Sequence, residues 1–439
     1  MVVGGGASGA LTALHLVRQA ARTGAPLALA VVEPGQLGQG VAYSTQNHEH
    51  RLNVPAAGMS ALPEDPGHFV RWLRARHDPD FAAGGFAPRA VFGRYLGDTL
   101  SRQLAAAPGV AWDQYRSRAV DLRGDGQRAA VTLADHQVLE ADAVVLALGN
   151  GPATSAWVPA ALRRSARFVA DPWHPGALPA LDPGSAVLLV GTGLTMVDIA
   201  MSYGHCQVSA ISRHGQLPLA HVTDPPPLAP VPLPETALSA AAVRRLVFDR
   251  IRELDGDWRT AVDGFRPVTR QIWSRLLDDA GRRQLLVHAQ RRWEHVRHRM
   301  APELGVQLTA RQERGLLTVR AASVAAATDS GDSVVVGLSD GTSVRADVVV
   351  NCTGRSGAVE SGDDPLIAAL LARGSARRDP LGLGFATQHG GCLVSADDLP
   401  AWTLGPLRRG ELWESTAIPE IRDQAAEIAR SVLARARLV

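Results

Sequence analysis

Two glycine-rich loops, set almost half a chain apart, constrain this sequence more than any other feature. The first is Gly4-Gly5-Gly6-Ala7-Ser8-Gly9 and the second is Gly191-Thr192-Gly193-Leu194-Thr195-Met196. Each follows an apolar run and opens a segment of helical character. In that setting glycine allows a tight turn and a close backbone approach, and the N–H groups at the helix start receive a pyrophosphate. Glycine clusters also mark ordinary turns, but two of them, each between a strand and a helix, point to two dinucleotide-binding folds. The following strands end differently. Leu27–Val32 reads as a strand and ends on Glu33, a carboxylate placed to hold a ribose 2′-hydroxyl. Residues 208–211 end on Ser212-Arg213-His214, where a cation suited to a 2′-phosphate takes the carboxylate's place. The residues therefore predict FAD at the first site, on Gly4, Gly6, Ser8, Gly9 and Glu33. They predict NADPH at the second, on Gly191, Gly193, Thr195 and Arg213.

The two halves also repeat. Asp135, Asp142 and Gly149 recur with the same spacing as Asp340, Asp347 and Gly354, each set closing an alternating strand, a turn and a fully apolar strand. This is a β-meander returning to a parallel sheet. Gly149 and Gly354 fall at strand ends, where ligands bind in open α/β sheets. The expected fold is α/β, with two Rossmann-like dinucleotide-binding domains, β-meanders and a helical insert. Residues 1–165 form the first part of the FAD domain, 166–344 the NADPH domain with the insert at about 235–300, and 345–439 the rest of the FAD domain.

Within that frame, a proline-rich connector from Asp224 to Pro234 leads into an arginine-rich stretch. There Leu246, Ile251 and Leu254, then Ile272, Trp273, Leu276 and Leu277, recur at helical spacing. The run from Arg291 to Arg299 stops at Pro302 and reads either as a solvated helix end or as a cationic wall facing NADPH or an anionic substrate. Ser415 and Thr416 read as caps of a last helix with Pro419 in its first turn, running to about Leu438. Such a helix can aim its positive end at the pyrimidine edge of a flavin.

Composition narrows the partners. The net charge of +2 argues against nucleic acid or a membrane as an obligate partner. All 45 basic residues are arginine, so no lysine can form a Schiff base. That abundance hints at an acidic small-molecule substrate. Cys206, Cys352 and Cys392 are far apart and make no C-x-x-C pair. No metal-ligand spacing is present, and no apolar run approaches the ~18 residues that span a bilayer. With a glycine loop beginning at residue 4, no signal peptide is expected and the location reads as cytoplasmic. The first strand has only Met1-Val2-Val3, shorter than the about five or six residues usual for a strand. It is either clipped or continued upstream.

Three further segments carry a family resemblance. They are Gly40-Val41-Ala42-Tyr43-Ser44-Thr45, the stretch His50-Arg51-Leu52-Asn53-Val54-Pro55 to Ser60, and Asp65-Pro66 to Leu73. With Gly191 to Asp198, Arg297 to Pro302 and Leu404 to Arg422, they resemble the FAD/NAD(P)-binding family that includes FAD-dependent urate hydroxylases and aspartate N-monooxygenases. Pro88-Arg89, Phe92 and Tyr95-Leu96 are similar to a segment of N-hydroxylating ornithine and lysine monooxygenases. Phe168 and Asp171-Pro172-Trp173-His174 sit where Baeyer–Villiger enzymes carry a fingerprint, but Ala170 replaces its glycine and the spacing fails.

The resemblance implies a class B-like flavoprotein monooxygenase that uses NADPH and molecular oxygen through a flavin hydroperoxide, with N-hydroxylation of a small amine or amino acid favoured. It implies Asn53, Pro55 and Met59 on a flavin-facing loop, His50 beside it as an acid–base candidate, and Arg89, Gly405 and Pro406 on the cofactor. Ring C-hydroxylation, a flavin oxidoreductase without oxygen insertion and a non-catalytic FAD-binding sensor remain alternatives.

Overall fold

Short apolar strands flanked by glycines build two parallel sheets of the same plan. The computed structural model describes residues 1–223, 231–275, 278–355, 359 and 364–435. Most of the proline-rich connector, together with Leu276 and Leu277, lies outside them. The chain begins with β1 (Val2–Val3), α1 (Ala7–Thr23), β2 (Leu27–Val32), α2 (Gly40–Tyr43), α3 (His68–Arg76), α4 (Arg89–Ala105) and β3 (Val110–Tyr115). A meander follows, made of β4 (Ala119–Gly124), β5 (Ala129–Leu133) and β6 (Val138–Ala141), before β7 (Val144–Leu146) returns to the first sheet.

The second unit holds α5 (Ala160–Arg164), β8 (Phe168–Val169), β9 (Ala186–Val190), α6 (Leu194–Ser202) and β10 (Gln207–Ser212). The described part of the insert is five helices: α7 (Ala240–Glu253), α8 (Trp258–Phe265), α9 (Thr269–Arg275), α10 (Asp279–His288) and α11 (Gln290–Arg297). Next come α12 (Pro302–Glu313), β11 (Leu317–Ala321), a second meander of β12 (Val324–Asp329), β13 (Val334–Leu338) and β14 (Ser343–Ala346), and β15 (Val348–Asn351). The chain closes with α13 (Pro365–Arg373), β16 (Ala401–Thr403), α14 (Arg409–Leu412) and α15 (Ile418–Arg435).

The repeat seen in sequence extends to strand order. The first sheet runs β16-β7-β1-β2-β3 and the second β8-β15-β9-β10-β11, all pairs parallel. Each glycine loop thus leaves a central strand flanked on one side by the next strand of its sheet and on the other by the strand that returns after the meander, the switch point where open α/β sheets bind ligands. One expected boundary moves: β15 pairs with β9, so the second unit runs beyond residue 344. Burial on both faces explains the uninterrupted apolar runs of β9 and β15. The largest core packs α1 and α15 together, with Phe69, Phe92 and Tyr95 beneath them.

Candidate functional site

The first glycine loop is packed to backbone contact. A Cβ at Gly4, where φ is +95°, would lie 2.4 Å from the Ala147 carbonyl oxygen, and one at Gly9 would lie 1.8 Å from that of Gly4. Gly40 crosses so near Gly6 that a side chain on either would displace the other. Glu33, at the end of β2, accepts from the Gly5 N–H at 2.7 Å and the Gly35 N–H at 2.8 Å. The C-terminal segment meets this loop: a Cβ on Gly405 would come within 3.3 Å of the Ser8 hydroxyl. The Gly405 N–H is held by Gln424 of α15 at 2.9 Å. Gly405 and Pro406 are buried there.

The second loop is packed on one side only. Gly191, with φ +112°, leaves no room for a Cβ, which would sit 2.3 Å from the Cys352 carbonyl oxygen. Gly193, the residue before α6, faces open space: a Cβ there would have nothing within 4 Å. Gly6 before α1 and Gly193 before α6 supply no side-chain cap. Ser239, Asp257, Asp278 and Asp364 do cap α7, α8, α10 and α13. Like α3, α4, α11 and α12, which also lack a side-chain cap, α1 and α6 leave their first N–H groups open, and behind a glycine loop an anion can satisfy them. The residues fit two dinucleotide phosphates. Thr192, which sequence reasoning passed over, ties its loop to the turn after β10 through Ser212 Oγ (2.8 Å) and the Gln216 carbonyl (2.6 Å). Thr195 is half-buried, and Arg213 is exposed with no partner among the described residues.

Gly149 and Gly354 stand at the ends of β7 and β15 with φ of +71° and +85° and open space where a side chain would point. The two connections between the units run side by side there. Ala153 and Arg355 form an antiparallel bridge, and Arg355 pairs with Asp171 at 2.5 Å.

Three expected residues have other duties. The Arg89 guanidinium bonds Asp198 of α6 at 2.7 Å and the Arg51 carbonyl at 3.1 Å. It joins the two units where a cofactor contact was expected. Burial pushes the Asp198 carboxyl up to about 6, against the pull of Arg89. His50 is almost fully buried, with Nδ1 on the Thr45 hydroxyl (2.7 Å) and Nε2 on that of Ser202 (2.8 Å). Trp173 packs edge-on against it at 5.6 Å. Burial, then the Arg89 charge, lowers its pKa to about 4. With both nitrogens engaged, His50 ties the loop after α2 to α6 at the interface of the two units. Met59 is 2% exposed and packs inside the first core. Asn53 is half-buried, and its carbonyl meets His221 Nε2 at 3.1 Å.

The helical insert is fastened to α14, to the turn before α15 and to the first turn of α15. Arg266 pairs with Glu420 at 2.9 and 3.2 Å, Arg297 with Glu414 at 3.3 Å and Arg409 with Glu294 at 2.6 Å. Trp273 stacks on Trp413 with ring centres 5.0 Å apart. Trp413 itself has φ +63° and ψ −72°, the strained γ-turn region, which persists where surrounding contacts over-determine it. Arg299 is buried against Asp263 and Arg297 pairs with Glu414, while Arg291 and Arg292 have no ion pair among the described residues, so the run makes no continuous cationic wall. Ser415 is also buried, but its hydroxyl has no partner among the described residues and so does not cap α15.

Residues 1–151 match a family model described as FAD-NAD(P)-binding. No curated protein matches the chain by sequence. Solved structures carry the same fold along its whole length. Ornithine hydroxylase from Pseudomonas aeruginosa superimposes with a TM-score of 0.63 at 17% identity, over 99% of this chain and 99% of its own. An ornithine N-hydroxylase from Kutzneria sp. 744, solved with reduced FAD, NADP+ and L-ornithine, gives 0.63 at 16% identity with 99% of both chains covered. Lactococcus lactis thioredoxin reductase gives 0.55 at 11% identity, over 100% of this chain and 98% of its own. The fold is that of flavoproteins with two dinucleotide-binding domains.

Proposed function

We propose that this chain is an FAD-dependent, NADPH-consuming monooxygenase that hydroxylates the nitrogen of a small amine or amino acid. The observation that carries the reading is the contrast between two copies of one fold. One strand ends on a carboxylate, Glu33, and its equivalent ends on a guanidinium, Arg213, that has no partner among the described residues. The first suits a ribose diol and the second a 2′-phosphate. Bound FAD supplies the redox chemistry, taking electrons from NADPH and reacting with molecular oxygen. The chain's own part is binding, orientation and exclusion of water. Gly4 to Gly9 and the start of α1 hold the FAD pyrophosphate, and Glu33 holds its ribose. Gly191, Gly193 and the start of α6 hold NADPH. The N-terminal end of α15, held to the Gly405 segment through Gln424, would favour negative charge on a reduced flavin ring bound before it.

A disulfide reductase on the same fold needs two adjacent thiols. Cys206, Cys352 and Cys392 are all free, and burial pushes each thiol upward in pKa. That favours oxygen transfer over dithiol exchange. The likeness to ornithine N-hydroxylases favours nitrogen as the acceptor, and an anionic group on the substrate accords with an arginine-rich chain. The test is rapid mixing: FAD-loaded protein, reduced anaerobically with NADPH, is mixed with oxygenated buffer. A transient near-ultraviolet band distinct from oxidised flavin, with NADPH oxidation coupled to an amine or amino acid, is expected. Direct return to oxidised flavin would replace this reading with a hydride-passing oxidoreductase.

A further inference from the structure

The helical insert reaches the second dinucleotide site through one residue. Arg291, the second residue of α11, donates to Gln216 Oε1 at 2.6 Å. Gln216 belongs to the turn after β10, and that turn is fixed. The Gly215 N–H bonds the Ser212 hydroxyl at 3.0 Å, and Thr192 holds both Ser212 and the Gln216 carbonyl. Thr192 lies between Gly191 and Gly193, so a guanidinium from the insert is connected to the phosphate loop through two side chains. Arg213 and His214 share the same turn and are exposed. After desolvation, the influences lowering the His214 pKa are Arg291 and Arg213, with no carboxylate among them. Two guanidiniums and an imidazole thus gather around one turn, none of them in an ion pair among the described residues, at a strand end where a ribose would lie. A phosphate dianion is the group that such a cluster accepts bidentately.

We propose that Arg291 and Arg213 together bind the ribose 2′-phosphate of NADPH, which makes the insert part of the cofactor site. Arg291 exchanges Gln216 for the phosphate. This inference rests on the second loop being the NADPH site. It also gives α11 a second role, because Trp293 and Arg297 on the same helix hold Glu414, at 3.0 and 3.3 Å, in the segment before α15.

The experiment is calorimetric titration of the FAD-loaded protein with adenosine 2′,5′-bisphosphate, compared with 5′-AMP. It reads binding without turnover. The parent protein is expected to prefer the bisphosphate. Arg291→Gln is expected to weaken bisphosphate binding by roughly tenfold, the effect of losing one charge-assisted contact, and to leave 5′-AMP binding unchanged. Arg291→Lys keeps the charge and recovers most of the loss. Arg292→Gln, one residue along and exposed, binds like the parent. If Arg291→Gln matches the parent while Arg213→Gln loses affinity, the role of Arg291 is overturned and the NADPH site stands. If the parent shows no preference for the bisphosphate, both fail.

Discussion

The two glycine loops begin alike and finish differently. In both, the glycine after the central strand lies against a carbonyl of the neighbouring connection, Ala147 for Gly4 and Cys352 for Gly191. Beyond that point the first loop is closed in by Gly38 and Gly40, by Glu33 and by the Gly405 segment. The second opens outward at Gly193. A covered loop suits a cofactor that stays bound, and an open one suits a cofactor that arrives and leaves each turnover. On the proposed assignment one motif serves two kinds of residence, and what differs between the loops is what packs over them.

The largest expected effect comes from exchanging a side chain into each loop. Gly9→Ala forces a methyl into the Gly4 carbonyl, a backbone contact with no flexible neighbour to yield. A loss of about 3 kcal/mol or more and failure to retain FAD are expected, measured by chemical denaturation and flavin content. Gly193→Ala has open space and an ordinary φ of −85°. It should shift stability by no more than about 1 kcal/mol while weakening NADPH binding. Similar stability losses in the two variants would break the comparison.

Next is the clamp between the units. Asp198→Ala leaves Arg89 without its partner, and removing one member of a buried pair costs about 3–5 kcal/mol. With the Arg89 side chain 18% exposed, the lower end is expected in denaturant unfolding. A change below about 1 kcal/mol would show that the pair does not hold the units together.

Acid should weaken the protein through its buried histidines. His15, His50 and His221 are each lowered to about 4, burial being the first cause. Between the ordinary value of 6.5 and about 4, the unfolded chain binds protons that the native protein does not, so stability falls as pH falls through that window. Asp198, raised to about 6, acts in the opposite direction between 3.8 and 6. The histidines outnumber it, and a net loss on the order of a few kcal/mol is expected from pH 7 to pH 4.5. His50→Gln should flatten part of the Tm-against-pH curve; an unchanged slope would place His50 in a solvated setting.

The smallest effect separates the nicotinamide cofactors. Arg213→Glu is expected to raise KM for NADPH by roughly tenfold or more and to leave KM for NADH nearly unchanged. Equal effects on both would remove Arg213 from the 2′-phosphate.

Much of this frame was legible because its signals are local. A glycine loop, the residue ending the next strand and the meander spacing each occupy a few consecutive positions. The meander repeat even contained the correct boundary: the run ending at Gly354 copies the one ending at Gly149, and each returns to its own sheet. The duties of Arg89 and His50 were not legible, because Asp198 and Ser202 lie more than a hundred residues away in sequence and become neighbours only when the units dock. Met59 follows the same logic, since a loop near a cofactor and a loop over a core look alike in sequence. The ion pairs between the insert and the C-terminal segment were hidden in the arginine excess, where abundance conceals which guanidiniums have partners.

The most direct test of the central claim is an anaerobic titration. The protein is loaded with FAD, freed of excess by desalting and titrated with NADPH while flavin absorbance is followed. Retention of about one FAD per chain, with bleaching by NADPH at lower concentration than by NADH, is the result predicted. Loss of flavin on desalting, or a flavin spectrum that NADPH leaves unchanged, would contradict a resident FAD site and an exchanging NADPH site in one chain.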